Sequence, residues 1–187
     1  GCNIMTNPKL STDLKETLEK VSTQTFLKAA RQFVELVESK QIDKERFYNL
    51  SHTCLVDLYS AGHKLESVNL KYSSIESIFE EFKNEFFQLI NIHLNSILGQ
   101  ESIYWEVFDP NYGEHNEPTQ GWLVDDFADI YKDLKTELNK IDNIGTDEAI
   151  EDGLWKLRFG FYNHWGNHCI DSMRALHYLW YEEKRTT

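Results

Sequence analysis

The fold is decided by residues 122–141, which read WLVDDFADIYKDLKTELNKI. Apolar side chains recur in this stretch every three or four positions, which is the spacing of one face of an α-helix. They are Leu123, Phe127, Ile130, Tyr131, Leu134, Leu138 and Ile141. The pattern predicts a long amphipathic helix that packs its apolar face against other helices.

The same spacing extends on both sides of this stretch. It predicts helices at residues 10–21, 26–37 and 43–62, and a further helix that starts at the capping-box pair Ser73 and Glu76 and ends at Gly99. After the turn at 143–146, a last helix is predicted from Thr146 to about Glu183, with a bend near Gly160 or Gly166.

The segment between residues 99 and 121 does not follow the helical pattern. Residues 102–110, SIYWEVFDP, are rich in aromatic and β-branched side chains, but a single short strand would have nothing to pair with. We interpret them as an extended or short helical piece, followed by a loop at 111–121. The fold prediction is therefore an all-α, single-domain bundle of five to seven helices, mostly up-and-down, with an irregular aromatic-rich crossover segment.

Charge limits the classes of partner. The chain has 187 residues and a net charge of −12, which argues against nucleic acid because phosphate binding requires lysine and arginine. Residues 1–100 hold 13 acidic and 11 basic side chains, whereas residues 101–187 hold 18 acidic and 8 basic ones. The acidic second half suggests a basic protein as partner. No apolar run approaches the ~18 residues of a membrane span.

The N-terminal residues contain no recognisable signal peptide, and the three cysteines form no disulfide pattern. Residues 1–9 are expected to be disordered or a cloning remnant ahead of a helical domain at 10–187, with Met5 as the natural start. Alternatively, Cys2 is the first residue of a processed lipoprotein and carries a lipid anchor. Cys54 and Cys169 have apolar helical surroundings and are interpreted as core residues, not as a disulfide or a thiolate zinc site.

The most informative polar residues fall on the last two predicted helices. Asp126 and Asp129, with Asp125 beside them and Asp133 one turn further, put like charges close together on one helical face, so a cation is expected nearby. His164 and His168 are four positions apart and point the same way. The candidate polar cluster comprises Asp126, Asp129, Asp133, Arg158, His164, Trp165, His168 and Arg174.

Two interpretations of this cluster remain open. In the first, Arg158 and Arg174 clamp the aspartates, and the histidines are hydrogen-bonded packing residues. In the second, His164, His168 and Asp129 bind zinc, iron or manganese, since imidazole and carboxylate suit all three metals. The HxxxH pair lacks the glutamate of an HExxH motif, and we find no other catalytic signature.

Several of these stretches together resemble a bacterial family known as domain of unknown function 5063. The words that carry the resemblance are YWEVFDP from Tyr104, DDFADIYKDLK from Asp125, WKLRF from Trp155, HWGNH from His164 and RALH from Arg174. The resemblance spans roughly residues 24–181. It implies a small, cytoplasmic, all-helical bacterial protein of unassigned activity. The resemblance identifies no catalytic residue in this chain.

Three hypotheses of function follow. The first is a non-enzymatic interaction protein without a cofactor, antitoxin-like, immunity-like or an adaptor, whose acidic half binds a basic protein. The second is a metal-binding protein or metal-dependent enzyme that uses His164, His168 and an aspartate between the last two helices. The third is a structural module whose ion pairs hold the helices in register, in which case Arg174→Met would mainly change stability.

Overall fold

The computed structural model describes residues 9–107, 109–112 and 117–179. These residues form seven α-helices and one pair of β-strands. In chain order they are α1 (Thr12–Glu19), α2 (Val21–Glu38), α3 (Lys44–Lys64), α4 (Asn84–Leu98), β1 (Ile103–Glu106), β2 (Thr119–Trp122), α5 (Leu123–Asn139), α6 (Asp147–Asn163) and α7 (Trp165–Leu179). The predicted all-α, single-domain bundle is confirmed. Our expectations for residues 1–8, including Cys2, lie outside the described residues.

Helix α5 lies at the centre of the bundle and contacts α2, α4, α6 and α7. Its predicted apolar side chains are buried, and the ring of Phe127 packs between those of Phe33 and Phe47, with centroids 5.6 and 5.8 Å away. Full burial of such a ring contributes about 1.5–3 kcal/mol to folding. The apolar faces point inward, and none of the helices described is both long and apolar enough to cross a membrane.

Predicted capping residues set three of the helix ends. The side chain of Asp43 accepts a 2.8 Å hydrogen bond from the backbone N–H of Arg46 and begins α3. Thr146 accepts one of 3.2 Å from Ala149 and begins α6. Gly99 ends α4 with a φ of +64°, a conformation that glycine adopts without strain.

Helix α4 is shorter than predicted, because Ser73 does not start a helix. The buried carboxylate of Glu151, on α6, accepts hydrogen bonds from the backbone N–H groups of residues 71–73 and from the Ser73 hydroxyl. These bonds hold the chain in a turn, and Ile75 and Ile78 remain almost fully exposed. The helix begins only at Asn84, so the predicted start was wrong by nearly three turns.

The aromatic-rich crossover is extended, as predicted, but the expectation that it has no strand to pair with was wrong. Strand β1 pairs antiparallel with β2, which formed part of the predicted loop, and Tyr104 stands opposite Gly121. A Cβ at Gly121 would lie 2.4 Å from the ring of Tyr104, so the absence of a side chain there lets the tyrosine pack across the hairpin. This hairpin holds Tyr104 above the start of α5.

The last predicted helix is broken at His164 into α6 and α7. The backbone of His164 leaves the helical region, with φ −150° and ψ −85°. The next residue, Trp165, is completely buried, and its indole N–H donates a 2.9 Å hydrogen bond to the carbonyl of Leu157. Gly166 then passes so close to the carbonyl oxygen of Phe161 that a Cβ would lie 1.9 Å from it. The predicted bend is confirmed, and it is a sharp break.

Candidate metal centre

Helices α5 and α7 pack side by side and bring the predicted aspartates and histidines together. Asp126, Asp129 and Asp133 follow one another along α5 at spacings of three and four residues. His164 occupies the break before α7, and His168 lies in the first turn of that helix. The carboxylate face of α5 therefore meets two imidazoles.

A buried chain of hydrogen bonds orients His168. Its Nδ1 lies 2.8 Å from Oδ1 of Asp126, a residue only 3% exposed. The other carboxylate oxygen of Asp126 accepts a 2.5 Å hydrogen bond from the hydroxyl of Tyr104. Because a carboxylate only accepts, we assign the proton of the neutral imidazole to Nδ1. Nε2 is then the free nitrogen, and it lies 3.4 Å from Oδ2 of Asp129.

His164 is oriented in the same manner by a different carboxylate. Its Nδ1 lies 2.6 Å from Oδ2 of Asp133, so we assign the proton of the neutral imidazole to Nδ1, which leaves Nε2 without a proton. The rings of His164 and His168 meet edge to face, with centroids 4.9 Å apart. Two carboxylates on α5 thus fix the orientation of two neighbouring imidazoles.

Three of these side chains are close enough to share a metal ion. One donor atom each from Asp129, His164 and His168 lies within 4.8 Å of the others. Donors bound to one zinc ion at about 2.0–2.2 Å stand roughly 3.5 Å apart. The side chain of Asp129 is 44% exposed, so its carboxylate has room for the small rotation that would close the set.

Charge in the cluster shifts the pKa of several groups. Burial alone would lower the pKa of His168, but the hydrogen bond to Asp126 and the charges of Asp126 and Asp129 raise it overall. Burial and the same two aspartates raise the pKa of Asp125. Burial, followed by the charge of Asp126, raises the pKa of Tyr104, which therefore stays a hydrogen-bond donor. A bound cation would relieve this excess of negative charge.

The cluster opens into a groove of about 850 Å³. One wall consists of His164 and the face of α7 that carries His168, Asp171 and Arg174, and the other comes from β1 and the residues that follow it. The full lining is Trp105, Glu106, Val107, Pro110, Pro118, Asn163, His164, Asn167, His168, Ile170, Asp171 and Arg174. A volume of this size lies within the range of small-molecule sites.

The sequence model of the family described as domain of unknown function 5063 matches residues 17–182, which is most of the chain. The chain belongs to this family. The crystal structure of protein BF1032 from Bacteroides fragilis, a structural genomics target, is similar to it with a TM-score of 0.73. The identity is 23%, over 86% of this chain and 93% of the other, which establishes a shared fold alone. No curated protein matches the chain.

Membership of the family was predicted correctly, but the predicted arginine clamps were wrong. Arg158 donates a 2.8 Å hydrogen bond to the hydroxyl of Tyr162, one turn along the same helix, and stacks over its ring. Arg174 lies 2.8 Å from Glu106, on β1, and pairs with no aspartate of α5. The third hypothesis stays a prediction with different partners, because His164 and His168, and not Arg174, make the ion pairs to the aspartates of α5.

Two residues of the site were missed by sequence reasoning. Tyr104 reaches Asp126 only because β1 and β2 pair, and no local pattern signals that contact. Asp171 is three positions after His168, a spacing that puts both side chains on one face of α7, and this signal was available in the sequence. Trp165, predicted as part of the cluster, is a fully buried packing residue that holds the break between α6 and α7.

Proposed function

We propose that the chain is a metal-binding protein that holds one divalent transition-metal ion between α5 and α7. The ligands are Nε2 of His164, Nε2 of His168 and a carboxylate oxygen of Asp129. One observation carries the proposal: each imidazole has its Nδ1 on a carboxylate of the facing helix, at 2.6 and 2.8 Å. Metal-binding histidines almost always have their second nitrogen fixed in this way, which orients the ring and increases its basicity.

The ligand chemistry favours zinc, iron or manganese. Two imidazole nitrogens with one carboxylate oxygen suit these metals, whereas thiolates are absent from this cluster and an all-oxygen calcium shell does not match it. Three protein ligands leave at least one coordination position open, as catalytic zinc sites do. Since both histidines line the groove, that position would face it and would be available to water or to a ligand.

The charge of the cluster also favours a cation. Three aspartates of α5 contact the two histidines, and Asp125 adds a fourth negative charge nearby. Like charges at this spacing destabilise a helix unless something offsets them. A divalent ion bound by neutral imidazoles would supply the positive charge that the predicted arginines do not.

The proposal is tested by loading the full chain with zinc after removal of metals with a chelator. We expect elemental analysis to find one zinc per chain after dialysis, and the melting temperature to rise, because a ligand present at 100 times its dissociation constant adds about 2.7 kcal/mol of stability. The double variant His164→Ala/His168→Ala is expected to give neither effect. Iron and manganese are measured in parallel, and failure of all three metals to bind at one per chain would overturn the proposal.

The hypothesis of a non-enzymatic protein with a basic partner stays a prediction. One observation favours a positively charged group as a second occupant of this region. Asp171, in the wall of the groove, has no hydrogen-bond partner among the described residues.

A further inference from the structure

The groove beside the histidines contains a carboxylate whose charge is not neutralised by its surroundings. Asp171 is half-buried on α7, three residues after His168. Across the described ranges of the chain, it takes part in no hydrogen bond and no ion pair. A partly buried carboxylate normally has such a partner, because removal from water penalises the charged form.

The arginine of α7 is already engaged. Arg174 lies one turn beyond Asp171, but its guanidinium lies 2.8 Å from Glu106 and 3.4 Å from the carbonyl oxygen of Trp105. Glu106 is nearly buried, with 12% of its side chain exposed. The charges of Arg174 and Glu106 therefore cancel each other in the wall of the groove. Glu106, Asp171 and Arg174 together leave one negative charge. His168 is paired with Asp126 and Asp129, so the groove disfavours an anionic ligand.

The rest of the groove suits an apolar chain or ring. Trp105, a residue that is 66% exposed, lines it, and apolar side chains continue the surface. They are Val107, Pro110, Pro118 and Ile170. An exposed indole face attracts ammonium and guanidinium groups through its negative π-cloud, in addition to its apolar contact.

We propose that this groove binds an organic cation, an ammonium or guanidinium group carried on an apolar chain, with the charge on Asp171 and the chain against Trp105. The ligand is either a small amine or the side chain of a lysine or arginine, and both present the same chemistry to the groove. Burial raises the pKa of Asp171 to about 6, and the charges of Asp126 and Glu106 add to that rise, against the opposite influence of His168 and Arg174. This agrees with a carboxylate that lacks a cation.

Binding of the cation does not depend on the proposed metal. Asp171 is not one of the three metal donors, so the groove is expected to take up the cation in protein stripped of metal. A chain that binds amines but no zinc would overturn only the metal proposal, and a chain that binds zinc but no amine would overturn only this one.

The test uses the metal-free full chain, labelled with nitrogen-15, titrated with n-butylamine and with Nα-acetyl-lysine methylamide. Backbone amide shifts around residues 105–107 and 167–174 report binding in the groove. We expect at least one probe to bind saturably and the neutral isosteres, n-butanol and Nα-acetyl-6-hydroxynorleucine methylamide, to bind at least about tenfold more weakly, as expected for loss of a charged hydrogen bond. Preference for the free amine would identify a small-molecule site, and preference for the peptide a protein side chain.

Two variants separate this site from general attraction to an acidic surface. Asp171→Asn keeps the size of the side chain and is expected to weaken amine binding at least about tenfold. Asp57→Asn, which removes an exposed carboxylate that lines a different groove, between α2 and α3, is the control with wild-type binding expected. The inference is overturned if neither amine saturates, if the neutral isosteres bind as tightly, or if Asp171→Asn binds like the wild type.

Discussion

Replacing His168 with alanine is expected to lower zinc affinity by more than about 100-fold. Loss of a residue that only orients a metal ligand typically costs 10–100-fold, and His168 is proposed as a ligand itself. The same substitution would leave Asp126, 3% exposed, with Tyr104 as its remaining hydrogen-bond partner. We therefore also expect the metal-free variant to lose about 1–3 kcal/mol of stability. Isothermal titration with zinc and denaturant unfolding measure the two effects.

The matched control is His63→Ala, which removes an exposed imidazole on α3 whose ring only touches Phe161. It should bind zinc like the wild type. Protons compete with the metal for His168, and the pKa of this residue is raised. Zinc affinity of the wild type should consequently begin to fall while the pH is still above about 6.5, the usual pKa of histidine. Wild-type zinc affinity in His168→Ala would refute the assignment of this ligand.

Replacing Gly166 with alanine is expected to destabilise the protein by at least about 3 kcal/mol, at the upper end of the usual cost of overpacking. The added Cβ would lie 1.9 Å from the carbonyl oxygen and 2.9 Å from the carbonyl carbon of Phe161. Both are backbone atoms, so the clash is relieved only if the break between α6 and α7 opens. His164 lies within that break, and zinc affinity should fall with stability.

Asn167→Ala is the control for Gly166→Ala, because it alters an exposed side chain at the next position of α7. A change within about 0.5 kcal/mol is expected there. Thermal unfolding of both variants, each compared with the wild type, measures the difference. A Gly166→Ala protein as stable as the wild type would contradict the close packing at the break.

Local chemistry made much of the fold predictable. The spacing of Phe127, Ile130 and Leu134 identified the central helix, and its buried face matches the structure. Asp43 and Thr146 each cap the helix that they were predicted to begin, because such a cap depends only on residues two or three positions away. Where the determinant lies within one turn of the chain, a single sequence is sufficient.

Long-range partners account for what could not be predicted. Ser73 is a residue type that often caps a helix. Here its backbone N–H and its hydroxyl donate hydrogen bonds to Glu151, 78 residues away in sequence. Residues 103–106 form a strand only because residues 119–122 return beside them. The partners of Arg174 follow from that same hairpin, which brings Glu106 to the guanidinium.

The candidate site was predicted only in part. Local spacing was sufficient for some of it, and the rest depends on long-range packing. The spacing of Asp126, Asp129 and Asp133 and that of His164 and His168 fixed which side chains share a face, and the structure brings these five together. Which basic side chains contact these carboxylates depends on the rotation of α7 relative to α5. A break at His164 sets that rotation, and its sharpness arises from packing around Trp165.

The most direct test of the metal site is the anomalous diffraction of crystals grown with zinc, recorded on both sides of the zinc absorption edge. We predict a single peak between α5 and α7, about 2.0–2.2 Å from Nε2 of His164, Nε2 of His168 and a carboxylate oxygen of Asp129. The Nδ1 atoms of the two histidines should remain on Asp133 and Asp126. A zinc ion bound by other residues, or no anomalous peak at this position in zinc-loaded protein, would contradict the account.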